Sequence, residues 1–226
     1  MQENLSPRKY GLTATLPSKT KQKIINEGLF GPVIASLSVE KGIELGIIST
    51  PDVNLIPVPY EPGINQNCKT FKEYYEKGIV ENKTRNQLIK NAIDPKEITL
   101  IIVERTEHGK VLQKMLSSKG RQVPFIYGST AKDKRNRAKG ALKQGSLKLA
   151  ICSRVWKEGT NIPSLNHIIN ACGMKDEKGV LQAIGRGLRT TRSKTTVKIS
   201  DFLDPYKYLA EHSIQRVSIY AQNDWV

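Results

Sequence analysis

Between Ile98 and Gln222 apolar runs of strand length alternate with polar segments of helical pattern, and this alternation restricts the chain more than any other feature. The runs are Ile98–Val103, Val123–Tyr127, Leu147–Cys152, Asn166–Ala171 and Thr195–Phe202. Ile98–Val103 is nearly unbroken by polar residues, as expected of a strand covered on both faces. The segments between them read as helices over Glu107–Ser118 and Ala131–Gln144, then around Gln182–Arg189, with Pro205–Gln222 closing the chain. Strand–helix alternation predicts an α/β domain: a doubly wound, mainly parallel sheet with helices on both faces. Ligands of such sheets bind beyond the carboxyl ends of the strands. The loops after Val103, Tyr127 and Cys152 are therefore expected to share one functional rim.

The earlier part of the chain is less regular. Gly11–Pro17 is strand-like, Ser18–Asn26 is helical in pattern, and Gly28–Pro32 is rich in turn residues. Short strands are expected over Val33–Ser36, around Val39–Ile48 and over Val53–Val58. Pro57 and Pro59 make the last of these an edge strand. Helical pattern runs from Thr70 to Ala92, interrupted near Gly78 and ended by Asp94-Pro95. Residues 1–32 are too short for a core of their own and are expected to be the tail of a preceding domain; residues 33–226 form the domain proper.

Lys and Arg total 36 against 21 Asp and Glu, a net charge of +15 with a pI near 9.7. That excess points to a polyanionic partner, nucleic acid first. An anionic membrane surface is the rival, yet no basic amphipathic helix with a bulky apolar face stands out. No apolar run approaches the ~20 residues of a spanning helix, and the polar start is unlike a signal peptide. A soluble, cytoplasmic protein without membrane contact is expected. Cys68, Cys152 and Cys172 are odd in number and far apart, which argues against a disulfide framework or zinc site. Cys152 and Cys172 are expected as buried thiols. His108, His167 and His212 show no metal-ligand spacing, and no metal site is expected.

On a helix, residues three and four apart share a face, so Gln182, Arg186 and Arg189 point one way while Leu181, Ile184 and Leu188 point another. Gly185 and Gly187 each cost a helix interior about 1 kcal/mol relative to alanine, which suggests close approach by a neighbour. Arginine forks match phosphate oxygens, so this stretch is read as a phosphate-sensing helix; solvated surface arginines are the plain alternative. Ser153–Pro163 is the second stretch of interest. Ser153 stands at a strand end where hydroxyl and N–H can meet a phosphate, Gly159 admits close backbone approach, and the Asn161 amide can bond a hydroxyl or phosphate. An ordinary turn-rich loop is the alternative there.

Taken in order, Gly11-Leu-Thr-Ala-Thr-Leu-Pro17, the Ser153 strand end, Glu158-Gly-Thr-Asn161-Ile-Pro163 and Gln182-Ala-Ile-Gly-Arg186-Gly-Leu-Arg189 resemble motifs III, V and VI of the superfamily 2 helicases. The match runs from Gly11 to about Lys194 and corresponds to the C-terminal RecA-like half. Within the superfamily the chain resembles the phage UvsW-type DNA helicases, a likeness that includes Leu29-Phe-Gly31, His108-Gly-Lys110 and His212–Tyr220. The resemblance implies an ATP-dependent DNA helicase or translocase, with branch migration during recombination or repair as its role and a host cytoplasm as its place. It implies that Arg186 and Arg189, with Gln182, act as arginine fingers on ATP held by an N-terminal RecA-like half. Gly159 and Asn161 would line the nucleotide, although the family often has aspartate at the Asn161 position. Arg105, Thr106, Gly128, Ser129, Ser153 and Arg154 would hold DNA phosphates. Arg105 and Arg154 could equally be solvated surface charges, and Arg135 and Arg137 are read as a solvated face.

No G-x-x-x-x-G-K-[ST] occurs; Gly109-Lys110 has Glu104 and Val111 at the deciding positions. Asp176-Glu177 mimics a metal-binding pair but lies in a predicted loop and is read as solvated charge. Alone, the chain is therefore expected not to hydrolyse ATP, with ATP and Mg2+ held mainly by the other half. A non-catalytic nucleic-acid-binding module and half of an RNA motor are the competing readings.

Overall fold

The computed structural model describes residues 10–13, 20–118, 120, 122–153, 162–175 and 196–226. The chain divides into two units, Met1–Ser38 and Val39–Val226. In the first, α1 spans Thr20–Phe30 and buries no side chain. It runs through Gly28, expected as turn, and ends at Gly31, whose φ is +80°. Ile24, Ile25, Leu29 and Phe30 along it are exposed. Residues 33–36, expected as strand, form none.

The second unit is built on six strands, β1 (Thr50–Pro57), β2 (Thr99–Val103), β3 (Phe125–Ile126), β4 (Leu149–Ser153), β5 (His167–Asn170) and β6 (Thr196–Leu203). They form one sheet in the order β1-β6-β5-β2-β4-β3, and every pairing is parallel. The doubly wound class expected from the apolar runs is the one observed. β2, β4 and β5 are buried along their whole length, which is why they are continuous apolar runs. β1 is an edge strand, and Pro57 closes it.

Alternate side chains of β2 supply two cores. Leu100 and Ile102 pack with Ala150, Cys152, Ile168, Val197 and Ile199, under Leu142 of α7 (Lys132–Gln144) and Tyr220 of α8 (Leu209–Gln222). Ile101 and Val103 pack with Ile151, Ile169 and Phe202 on the opposite face. There they are covered by Ile89 of α5 (Lys83–Asn91) and Leu112 of α6 (Thr106–Leu116). Cys68, Cys152 and Cys172 are buried thiols.

Residues Val39–Glu44 form a short helix, α2, where a strand element was expected. The chain turns directly after it, with the Ile47 and Ile48 N–H groups both donating to the Gly42 carbonyl, so no extended run can form. Pro62–Asn67 is a short helix, α3. The expected helix over 70–92 is three pieces: α4 (Phe71–Tyr75), a π-helical turn over Glu76–Val80, and α5. A capping box at Thr70 and Glu73 starts it. The break falls at Gly78 because a Cβ there would lie 2.9 Å from Leu209 Cδ1 and 3.0 Å from Tyr206 Cδ2.

His108 of α6 is fully buried, and its Nε2 lies 2.9 Å from Asn86 Oδ1. The Asn86 amide nitrogen donates to the Val80 carbonyl, so its oxygen faces the ring and Nε2 must carry the proton. Burial, aided by the nearby Arg85 cation, drives the imidazole pKa well below 6.5. A depressed histidine stabilises the fold above the unfolded pKa and ceases to do so as pH falls. Stability is therefore predicted to decline below pH ~6.5 by about 1.4 kcal/mol per pH unit for this residue. Burial depresses His167, to about 4, and His212 in the same sense. Urea unfolding at pH 7.5 and 5.0 should show a smaller drop in His108→Gln than in wild type. Equal drops would assign the acid sensitivity elsewhere.

Candidate functional site

All six strands run the same way, so their carboxyl ends lie along one rim. Register fixes the neighbours. Val103 pairs with Ser153, and Ile126 with Cys152, so the loops following β2, β3 and β4 emerge side by side. Arg105, Thr106, Gly128, Ser129 and Ser153 are thereby brought to one stretch of rim.

Their environments differ. Ser153 is 6% exposed, and its hydroxyl makes no hydrogen bond among the described residues. Leaving a buried donor unmatched costs on the order of 1–3 kcal/mol. Gly128 and Ser129 are exposed in a tight turn closed by Thr130, whose N–H donates to the Tyr127 carbonyl at 2.9 Å and whose hydroxyl accepts the Tyr127 N–H at 3.0 Å. Thr106 opens α6 and is half-buried. Arg105 precedes it, its guanidinium 4.5 Å from the centre of the Tyr75 ring. It is not a loose surface charge. Arg137 is exposed and Arg135 half-buried. Arg154, Gly159, Asn161, Gln182, Arg186 and Arg189 lie outside the described residues, as does Asp176-Glu177.

On the other side of β2 the rim is locked. Residues 171–175 leave β5 toward the arginine-bearing stretch, and four successive carbonyls are each taken by a different side chain. Arg85 Nη1 donates to Ala171 O (3.3 Å) and the Tyr75 hydroxyl to Cys172 O (2.6 Å). His212 Nδ1 donates to Gly173 O (3.2 Å) and Arg216 Nη1 to Met174 O (3.3 Å). A carbonyl only accepts, so Nδ1 carries the His212 proton. Gly173 sits at φ +63° with the Ile79 side chain against it, a conformation and a space that suit glycine.

Two buried ion pairs anchor the donors. Arg85 Nε meets Asp204 Oδ1 at 2.6 Å, with both side chains fully buried. Arg216 Nε meets Asp201 at 3.0 and 3.1 Å, and Nη2 donates to Phe202 O at 2.7 Å. Asp201 also accepts from Asn170 Nδ2 and the Tyr220 hydroxyl. Burial and the adjacent Asp201 charge hold the Tyr220 phenol protonated, far above its ordinary range. Sequence reasoning missed this set, because nothing local to Arg85 or Arg216 marks the distant partners they meet.

A six-stranded, all-parallel sheet with helices on both faces is the architecture of a RecA-like domain. Residues 83–191 match the family described as the helicase conserved C-terminal domain, and the all-parallel sheet is that of the RecA-like C-terminal domains of helicases. Among individual proteins it is similar to the ATP-dependent DNA helicase UvsW of Enterobacteria phage T4, at 27% identity over 94% of this chain and 47% of the relative. It is also similar to the ATP-dependent RNA helicase SrmB of Haemophilus influenzae, at 26% identity over 69% of this chain and 35% of the relative. The crystal structure of T4 UvsW shares the fold, with a TM-score of 0.60 and 24% identity over 78% of this chain and 40% of that one. The chain thus spans less than half the length of these relatives. Among the described residues no helix is long and apolar enough to cross a membrane.

Removing one member of a buried pair leaves the other charge stranded, at a typical cost of 3–5 kcal/mol. Asp204→Asn is predicted to destabilise the domain by about that amount, read by chemical denaturation. The double variant Arg85→Met/Asp204→Leu should recover most of the loss. A single-variant cost below about 1 kcal/mol, the worth of an exposed pair, would mean that water reaches the site.

Proposed function

We propose that this chain is the C-terminal half of an ATP-dependent DNA helicase or translocase, supplying grip on the nucleic-acid backbone and two arginine fingers. The observation that carries this reading is the rim. The buried, unmatched Ser153 hydroxyl stands in register beside Val103, and Arg105 and Thr106, two and three residues further on, bring a guanidinium and a second hydroxyl to the same edge. Hydroxyls, backbone N–H groups and arginine are the usual donors to phosphate oxygens, and the net charge of +15 draws a polyanion toward them. Arg186 and Arg189, with Gln182, act on the triphosphate from this side of the cleft, and Gly159 and Asn161 line it. Arg154 extends the backbone grip.

The described residues do not themselves suit Mg2+. Asp201 and Asp204, the carboxylates at the end of β6, are taken up by Arg216 and Arg85. Metal and nucleotide phosphates therefore belong to an N-terminal ATPase half, and residues 1–32 are read as its tail. The apolar side chains left exposed along α1 support that reading. DNA is favoured over RNA because the match to UvsW extends over 94% of the chain, against 69% for the RNA helicase SrmB. Branch migration in recombination or repair, within a host cytoplasm, is the corresponding role.

Arg186→Ala, in a protein containing both halves, is expected to lower DNA-stimulated ATP hydrolysis by about 10³-fold or more, the usual worth of an arginine finger. DNA affinity should change little. Retained hydrolysis would remove the finger role. Arg105→Ala should weaken binding of single-stranded and branched DNA alike and reduce the salt slope by about one. Tighter binding of RNA than of any DNA ligand would turn the proposal to an RNA motor.

A further inference from the structure

Tyr75 stands between the open and the locked parts of the rim. One face of its ring carries the Arg105 guanidinium, and its hydroxyl donates to the Cys172 carbonyl at 2.6 Å. It is fully buried, at the last position of α4 before the π-helical turn. Burial holds the phenol protonated far above its ordinary range, so the hydroxyl remains a donor throughout the working pH range. Among the described residues it is the donor to the 171–174 carbonyls that also touches a proposed phosphate contact. Arg85 and Arg216 are tied instead to Asp204 and Asp201, and His212 comes from α8.

We propose that Tyr75 is a positioning residue that couples phosphate binding at Arg105 to the setting of the 171–175 loop, an inference that rests on Arg105 being a backbone contact. A guanidinium is planar: it can lie on an aromatic ring by its face and donate to phosphate oxygens by its edge. A phosphate that engages the edge shares the charge and redirects the plane, and both changes alter its hold on the ring. The ring has little freedom to absorb the change. Phe71 packs 5.9 Å away, centroid to centroid, and Ile79 and Val80 belong to the same buried cluster. What the ring cannot absorb passes through the hydroxyl to Cys172. Cys172 lies ten residues before Gln182 in the sequence.

The test uses the whole chain and a single-stranded oligothymidylate, read by hydrogen exchange of peptides spanning residues 171–175 at saturating oligonucleotide. In wild type, oligonucleotide should change exchange of this loop by about two- to fivefold, the factor that an exposed cation–π contact corresponds to. Tyr75→Phe keeps the ring and removes the donor. It should bind the oligonucleotide as wild type does, yet its loop should respond to saturation by less than half as much. A purely structural role for Tyr75 would alter the resting exchange while leaving the oligonucleotide-dependent ratio intact. An unchanged ratio in Tyr75→Phe therefore overturns the proposal. Should that variant fail to fold, Arg105→Lys serves, because it keeps the charge and loses the stacked plane. Loss of the loop response at saturation supports the coupling, and its retention overturns it. If the wild-type chain binds no oligonucleotide, the reading of Arg105 fails first and the coupling with it.

Discussion

The two buried ion pairs, Arg85 with Asp204 and Arg216 with Asp201, are the interactions on which the arrangement of the rim depends. Two guanidiniums and two carboxylates have been withdrawn from water at the carboxyl end of β6. Coulomb attraction rarely offsets that desolvation by much, and well-packed apolar residues would stabilise a core as well. What apolar residues cannot supply is direction. Each arginine uses Nε on its carboxylate and spends a further N–H on a backbone carbonyl of the loop leaving β5, at Ala171 and Met174. Tyr75 and His212 fill the two carbonyls between. The loop is thus held at four consecutive points by side chains from α4, α5 and α8. Water alone could have satisfied these carbonyls, but it would not have fixed them.

The architecture was legible in the sequence because a parallel sheet covered on both faces leaves an unmistakable trace. β2, β4 and β5 have no solvent face, so each is a run with few polar residues, and their spacing by helices admits few other folds. Pro57 and Pro59 identified the edge, and Gly78 the break in the helical stretch before β2. Boundaries were less legible. β3 is two residues long, because Pro124 and the turn at 127–130 confine it, and Val39–Glu44 is a helix where a strand was expected. Most of the open rim could be read as well, since Ser153 follows one apolar run directly and Arg105 stands two residues after another.

The clamp could not be read, for a physical reason. Arg85 and Asp204 are 119 residues apart, and no local periodicity links them. Within Lys83–Asn91 the residues Arg85 and Asn86 look like the solvated side of a polar helix, yet both are buried. They are tolerated there only because distant partners meet them: Asp204 and the Phe202 ring for Arg85, His108 and Val80 O for Asn86. Arg105 was ambiguous in the opposite way. As a residue type it could have been a solvated charge, and the Tyr75 ring beneath it is what separates the two readings.

The contrast between the two stretches of rim bears on how such a domain can work. Along β3, β4 and β2 the polar groups are exposed or unmatched, as at Ser129 and Ser153, so a ligand gains bonds there without breaking any. Along β5 and β6 the rim carbonyls and carboxylates already have partners, so the same ligand would have to displace internal bonds at a cost on the order of 1–3 kcal/mol each. Binding energy is therefore available on one side, and rigidity on the other. A domain that converts binding at one place into movement at another needs both, arranged side by side. The adjacency of Val103 to Ser153 on one flank, and of Ile102 to Asn170 on the other, makes β2 the strand where the two regimes meet. Arg105 leaves from that strand, and its stacking on Tyr75 carries the boundary across the rim.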